Sequence, residues 1–371
     1  MVCCSLEAWD DVWRRNQFLV REILESRPGL RILFVEPPVD VLWSSLHDKR
    51  VPPSGTRTIA GFERVTAYRP RKWLPRRLAP GVDGRLSRRV ELRARRLGFR
   101  NPVLWVNDSS YADLAEKSGW PVVYDVTDDW TLASRSERER RRQVANDQRL
   151  MALAREVVVC SPALASTRGA ARPVSLIPNG VDVDHFQAAR DRPADLPGGR
   201  IVLYSGTAAT DRLDVELCVD LARSLPADST LVFVGPNACH PQVTRRLVAA
   251  GAVFLGPRSY ADIPGYMQHA ELIVVPHVVT PFTESLDPIK AREIMAAGSR
   301  CVATPVAGFR DLGFPVTIAS RKAFVRTVTE ALMAKPEARC HKAGPGEVDV
   351  SWTSRAAEFL AALDRATLQP S

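Results

Sequence analysis

Short apolar runs alternate along the chain with stretches whose apolar residues recur every three or four positions. The runs RILFV (31–35), VLWV (103–106), VVYD (122–125) and EVVVC (156–160) read as strands buried on both faces. VCCS (2–5), 64–68 and 174–177 join them, with helical periodicity at 11–26 and 136–154. The segment DHFQAARDRPADLPGG (184–199) is polar, holds two Pro and two Gly, and reads as a linker. A second series follows: IVLYS (201–205), TLVFV (230–234), AVFL (252–255), LIVVP (272–276) and RCVAT (300–304), with helical patterns at 214–225, 241–250, 260–269 and 288–297. A last helical pattern covers 353–367. Strand–helix alternation without a short internal repeat predicts an α/β fold of two Rossmann-like parallel-sheet domains facing each other across a cleft. The expected division is 1–183, a linker at 184–199, 200–348, and a C-terminal helix in 349–371 that packs back on the first domain.

At 371 residues the chain exceeds what one core serves, which agrees with two domains. Apolar content of 45% and charged content of 25% exclude a disordered chain, and no run approaches a membrane span. The start MVCCSLEAWD lacks the basic and apolar regions of a secretory leader, and the seven cysteines form no CxxC pair or zinc spacing. The expectation is a cytoplasmic, metal-free protein without disulfides. The net charge of +9 is local: Arg69–Arg100 carries twelve Lys and Arg against Asp83 and Glu91, leaving the rest close to neutral. Trp73, Leu74 and Leu78 are interleaved there with Arg71, Lys72, Arg76 and Arg77, a composition suited to an anionic membrane surface. A solvated arginine-rich surface is the alternative, since the chain has 44 Arg and 7 Lys throughout. Nucleic acid is not an expected partner.

In parallel sheets ligands collect at the carboxyl ends of strands, so the loops after strands carry the candidate chemistry. In PHVVTPFTESLDPIKAREIMAAG (276–298), Asp287 fits a helix N-cap, Pro288 the first helical position and Gly298 the C-terminal cap. Such a helix start attracts anions; Lys290 can reach a phosphate oxygen, and Glu293, three residues on, can accept from ribose hydroxyls. The alternative is a solvated Lys290–Glu293 pair. After the strand 201–205, Gly206 permits close backbone approach, Thr207 offers a hydroxyl and Arg212 a guanidinium fork, although Ser-Gly-Thr by itself reads equally as an ordinary turn. Arg258 and Tyr260 are candidates to flank a flat heterocycle, and an ordinary strand-to-helix turn is the alternative. His277 directly follows a strand and is placed to face a ligand there, whereas His47, His185, His240, His269 and His341 read as surface or structural.

In the first half, Asp125, Asp128 and Asp129 cluster at a strand end in YDVTDDW (124–130). Asp128 or Asp125 is the candidate to orient a ligand hydroxyl or a cationic ligand, and a helix N-cap is the alternative for Asp128 or Asp129. Trp9, Asp10, Arg14, Arg15 and Asn16 follow the first strand and are candidates to line a ligand site of the first half.

The motifs IPNGVD (177–182), YSGT with RLD, VFVGP, VFLGPRSYADIPGYMQHAEL, IVVPH and DPIKAREIMAAG occur in an order and spacing that resemble the C-terminal domain of GT-B glycosyltransferases. The likeness is to the retaining glycosyltransferase family 4 and its teichuronic-acid-type relatives, and covers roughly half the chain. The resemblance implies transfer of a sugar from a nucleotide-diphosphate sugar, the donor substrate, to a small-molecule or lipid-linked acceptor, with retention and with no metal or cofactor. It implies that Glu293 holds the ribose, that Gly206, Thr207, Arg212 and the helix start Pro288–Ile289–Lys290 hold the diphosphate, and that Arg258 lies near the base. The family's first glutamate falls on Ser285 here, leaving Glu284 and Asp287 as candidates for the donor sugar. The basic pair of the first loop is reduced to Arg212, so Lys290 is expected to supply the second charge. The glycine-rich loop after strand one is replaced by SLEAWDDVWRRNQ (5–17). Peripheral attachment to the inner face of the cell membrane is an expectation. The competing readings are a GT-B epimerase or pseudo-glycosyltransferase and a non-enzymatic basic membrane-surface or nucleic-acid binder.

Overall fold

The computed structural model describes residues 1–42, 53–73, 76, 79, 81–334 and 350–368. Of the residues named above, Leu74, Arg77, Leu78, His47 and His341 lie outside them. The chain divides into two compact units: unit 1 is Met1–Asp10, Arg14–Pro178 and Arg355–Ser371, and unit 2 is Asp11–Trp13 and Asn179–Ser354.

Unit 1 carries strands β1 (Val2–Cys4), β2 (Ile32–Val35), β3 (Val39–Asp40), β4 (Gly55–Ile59), β5 (Phe62–Arg69), β6 (Arg71–Lys72), β7 (Leu104–Val106), β8 (Val122–Val126), β9 (Glu156–Val159) and β10 (Ser175–Leu176). Eight of them form one sheet in the order β10-β9-β8-β7-β1-β2-β5-β4, and β3 pairs with β6. Every pair is parallel except β4–β5. The apolar-run pattern misses β4 because GTRTI is an edge strand with three exposed residues, specified by the turn into β5 rather than by burial. The chain leaves β1 toward β2 and β5, then returns to β7 on the other side of β1, so the topological switch point lies at the carboxyl ends of β1, β2 and β7.

The basic segment is folded rather than bare. Helix Val82–Arg96 buries Val82, Leu86, Val90 and Ala94, one per turn, and turns Arg85, Arg88, Arg89, Arg95 and Arg96 to solvent. Arg69, Lys72, Arg76 and Arg95 pair with Glu36, Asp40, Asp83 and Glu91. In helix Trp352–Leu368, Ala356, Phe359, Ala362 and Ala366 are fully buried, and Phe359 packs 4.6 Å from the Trp105 ring of β7.

Unit 2 carries β11 (Arg200–Ser205), β12 (Ser229–Val234), β13 (Val253–Gly256), β14 (Leu272–Val275), β15 (Cys301–Ala303) and β16 (Val316–Ile318), all parallel, in the order β13-β12-β11-β14-β15-β16. Its switch point falls between β11 and β14, which brings the loop after Ser205 beside the loop after Val275. The polar segment 184–199 is not a free tether. Its start lies in helix Val183–Gln187, capped by Asp182, with Phe186 wholly buried in the core of unit 2. Gln268, itself buried, donates to the carbonyls of Phe186 and Ala188, and one large apolar anchor outweighs a polar composition.

One buried charge organises the end of β2. The Glu36 side chain is 0% exposed and accepts from Arg57 at 2.7 Å, from Arg69 at 2.8 Å and from the Trp9 amide at 2.9 Å. Burial alone raises its pKa, but these donors, Arg57 foremost, hold the carboxyl below its ordinary value. Glu36→Gln is expected to lower stability by about 2–3 kcal/mol, less than for a fully enclosed pair because the Arg57 side chain is 40% exposed. A depressed carboxylate contributes stability that is complete above the unfolded pKa and lost as pH falls through the folded one. The acid limb of thermal melts recorded from pH 6 to pH 3 is therefore expected to be steeper in the wild type than in Glu36→Gln; parallel limbs would refute the assignment.

Candidate functional site

In unit 2 the loops at the switch point are laced together by their backbones. Gly206 N–H donates to Val234 O at 2.8 Å, Asp214 N–H to Pro276 O at 2.9 Å, and Val278 N–H to Arg212 O at 2.8 Å. Two glycines permit this. Gly235 (φ +135°) has no room for a Cβ, which would strike the Gly206 carbonyl. Gly206 (φ +130°) leaves β11 in a conformation reserved for glycine, and a Cβ there would overlap the Lys290 Nζ and stand 3.0 Å from its Cε. Lys290 thus lies directly against the backbone of the first loop.

Lys290 and Glu293 sit in the first turns of helix Ile289–Ala297, which ends on Gly298 in the left-handed region. The helix begins one residue later than its sequence predicts: Pro288 occupies the N-cap, and no side chain caps it. Asp287, expected as that cap and as a donor-sugar candidate, instead pairs with Arg292 at 2.6 Å and accepts from the Asn179 amide at 2.6 Å. Asn179 Nδ2 in turn donates to the Asp287 carbonyl, so this carboxylate clamps the IPNG segment to the helix start. Burial, then the charge of Arg212, pulls the Lys290 ammonium down to about 7, and burial pushes the Glu293 carboxyl up to about 7. A solvated salt bridge would shift both the other way.

His277 is buried and donates its backbone N–H to Thr304 Oγ1 at 3.1 Å. Burial and the charges of Lys290 and Arg212 hold its imidazole well below the ordinary pKa, hence neutral. Arg212 lies beside Asp211 at 3.1 Å and over the Phe282 ring. Thr207 follows Gly206 and is partly exposed. Gly206, Thr207, Arg212, His277, Pro288, Ile289, Lys290 and Glu293 are therefore brought to one sheet edge.

Other predicted residues of unit 2 have different tasks. Ser285 is buried and donates to the Phe282 carbonyl at 2.7 Å. Glu284 ends the short helix Pro281–Glu284 and pairs with Arg310 at 2.7 Å. Arg258 is held by Asp195 and by the Tyr266 hydroxyl at 2.8 Å. Tyr260 does not offer an open face for a heterocycle: its ring stacks on His185 at 4.4 Å and on Trp13 at 6.0 Å.

In unit 1 the acidic cluster separates. Asp125 is fully buried, its two oxygens facing Arg15 at 3.4 Å and the Trp105 indole N–H at 3.2 Å, so it is a structural counter-ion and has no path to an acceptor. Arg15, expected on the acceptor side, is its buried partner. Asp129 is buried against Arg168 at 3.0 Å and caps no helix; helix Glu137–Leu153 is capped by Ser136. Asp128 lines a small hollow at the ends of β7 and β8 with Asn107, Ser109, Tyr124, Trp130 and Asp147. Asn16 is buried and donates to Ser5 and Asn107, both at 2.9 Å. Trp9 packs edge-on against Phe34 and Phe62, and Arg14 pairs with Asp10 at 3.0 Å. Asp128 and Arg14 keep partial exposure. Glu36, Asn107, Asp147 and Arg168 escaped the sequence reading because their partners lie 18 to 101 residues away.

Residues 199–334 match the family described as glycosyl transferases group 1, so unit 2 carries a glycosyltransferase group 1 domain, and the fold is GT-B. The chain is similar to Bacillus subtilis (strain 168) TuaH, assigned as a teichuronic acid biosynthesis glycosyltransferase: 27% identity over 219 residues, covering 54% of this chain. The chain spans about half (55%) of the length of that curated relative. Among solved structures, sucrose-phosphate synthase of Thermosynechococcus elongatus aligns over 99% of this chain and 93% of its own, with TM-score 0.65 and 16% identity. Anabaena Alr3699/HepE in complex with UDP aligns over 98% of this chain and 95% of its own, with TM-score 0.55 and 16% identity.

Gly206→Ala forces a β-carbon into a glycine-only conformation and against Lys290, at a cost of about 1–3 kcal/mol. Thermal melts are expected to show a drop of several degrees; a wild-type melting temperature would show that the loop does not hold this geometry.

Proposed function

We propose that the protein is a glycosyltransferase that binds the diphosphate of a nucleotide sugar at the β11–β14 edge of unit 2 and moves the sugar to an acceptor hydroxyl. The observation that carries this reading is the Lys290 ammonium pressed against the glycine backbone of Gly206 at the first turn of a helix. The family match over 199–334 covers both residues.

In this reading Lys290, Arg212 and the start of helix Ile289–Ala297 face the diphosphate, and the charge that builds on the leaving oxygen is stabilised by cations already in place. Their two positive charges do the work that a metal ion does elsewhere, so the reaction is metal-independent and needs no cofactor. Glu293 accepts from the ribose hydroxyls. Transfer proceeds with retention, and Asp128 is the residue of unit 1 that orients the acceptor hydroxyl. The acceptor is an envelope polysaccharide, a glycolipid or a secondary metabolite. Release of nucleoside diphosphate only when acceptor is supplied separates transfer from epimerisation. The solvent-facing arginines of helix Val82–Arg96, with Trp73 at 58% exposure, are the surface for peripheral membrane attachment, which sedimentation with anionic liposomes tests.

A thermal-shift panel of UDP, GDP, ADP, CDP and dTDP is expected to give stabilisation by at least one, lost by about 2 kcal/mol or more in Lys290→Ala while the apo melt changes little. Stabilisation by none of them sinks the transferase reading. The pH dependence follows from Lys290. A ligand that keeps the ammonium charged takes up a proton above pH 7, so affinity falls as pH rises, by up to about tenfold per unit. Glu293 acts with the opposite sign, because ribose donors favour its carboxylate. Calorimetric titration of Glu293→Gln from pH 6.5 to 8.5 isolates the Lys290 limb, and a flat profile there would refute it.

A further inference from the structure

The Lys290 ammonium stands on a residue that touches no phosphate in this reading. Tyr204, the last but one residue of β11, is fully buried, and its ring centroid lies 4.5 Å from the Lys290 Nζ. Its hydroxyl donates to the Thr207 carbonyl at 3.0 Å and lies 3.2 Å from His277 Nε2. A hydroxyl has one proton. With that proton on Thr207 O, the neutral His277 is the Nε2–H tautomer and donates to the phenol oxygen. The chain His277 Nε2–H to Tyr204 Oη–H to Thr207 C=O therefore ties together the ends of β11 and β14, and Gly206 lies between its last link and the lysine. Burial also keeps the phenol protonated at any ordinary pH.

We infer that Tyr204 is a positioning residue for the diphosphate site, its ring face seating the Lys290 ammonium and its hydroxyl holding the Thr207 carbonyl, so that cation and loop are fixed before the ligand arrives. This rests on the nucleotide-sugar reading of the same edge. A lysine side chain has four rotatable bonds and loses much freedom when it grips an anion; a seat that orders it beforehand removes that loss from binding. A buried strand residue with a packing role alone would be served equally by Leu or Met. Neither offers a π face to a cation or a hydroxyl to a loop carbonyl.

The test uses the full chain with lysine labelled with 13C at Cε. Seven lysines make a sparse spectrum, and Lys290→Arg assigns the signal. Tyr204→Phe keeps the ring and is expected to leave the Lys290 titration in place while weakening UDP binding several-fold. Tyr204→Leu removes the ring and is expected to lower the Lys290 protonation constant by about tenfold and UDP affinity by about tenfold or more. If Tyr204→Leu does not fold, Tyr204→Met supplies similar volume without a π face. A folded Leu or Met variant with the wild-type Lys290 titration and the wild-type UDP affinity overturns the seat. A wild type that binds no nucleoside diphosphate, while the Leu variant still shifts the lysine titration, overturns the reading of the edge and leaves the seat standing.

Discussion

The Lys290 side chain and the Gly206 backbone occupy space that a single methyl group on Gly206 would fill, and the functional edge of unit 2 is arranged around that contact. Three separate pieces of chain must agree for it to exist. β11 has to be followed by a glycine at φ +130°, Gly235 has to let the carbonyl of Gly206 pass, and helix Ile289–Ala297 has to start where its second residue reaches back over the sheet. The parallel order β12-β11-β14-β15 supplies the frame, because it sets neighbouring strand ends level and leaves the crevice at the switch point. The electrostatic consequence follows from the packing. A cation withdrawn from water and placed near Arg212 is poorly stabilised, with the Glu293 carboxyl offsetting that only in part.

Unit 1 uses charge in a different way. Glu36 and Asp125 are both fully buried at the carboxyl edge, and each is matched by arginines: Arg57 and Arg69 for Glu36, Arg15 for Asp125. Both pairs fix the segment between β1 and helix Arg15–Ser26, one through the Trp9 amide and the other through Arg15 itself. A segment that lacks a glycine-rich turn is thereby held by ion pairs and by the packing of Trp9 on Phe34 and Phe62. The same arithmetic tempers the net charge of the basic segment, where several arginines and Lys72 are counter-ions of nearby carboxylates while the outer face of helix Val82–Arg96 stays cationic.

Strands buried on both faces were legible because their apolar runs are continuous, and both sheets follow from them. The edge strand β4 and the short β16 were not, since GTRTI and VTI carry little burial signal and are specified by the strands beside them. Lys290, Glu293, Gly206 and Arg212 were readable as candidates because each belongs to a local pattern of strand end, glycine and helix start. Asp125, Asp287 and Tyr260 were misjudged for a common reason. A carboxylate or an aromatic ring at a loop looks available in one dimension, and only its partners reveal that Arg15, Arg292 with Asn179, and His185 with Trp13 already occupy it.

By itself the amino-acid order determined the two-domain α/β architecture, the concentration of charge in one segment and the loops that carry the candidate anion-binding residues, because periodicity, helix boundaries and glycine positions act over a few residues. The tertiary structure decided which acidic and basic groups remain for chemistry. That choice depends on pairs such as Arg15 with Asp125, 110 residues apart, and Asn179 with Asp287, 108 residues apart. It also placed Tyr204 beneath Lys290, since a strand and a helix far apart in sequence meet only when the parallel sheet brings their ends to one edge.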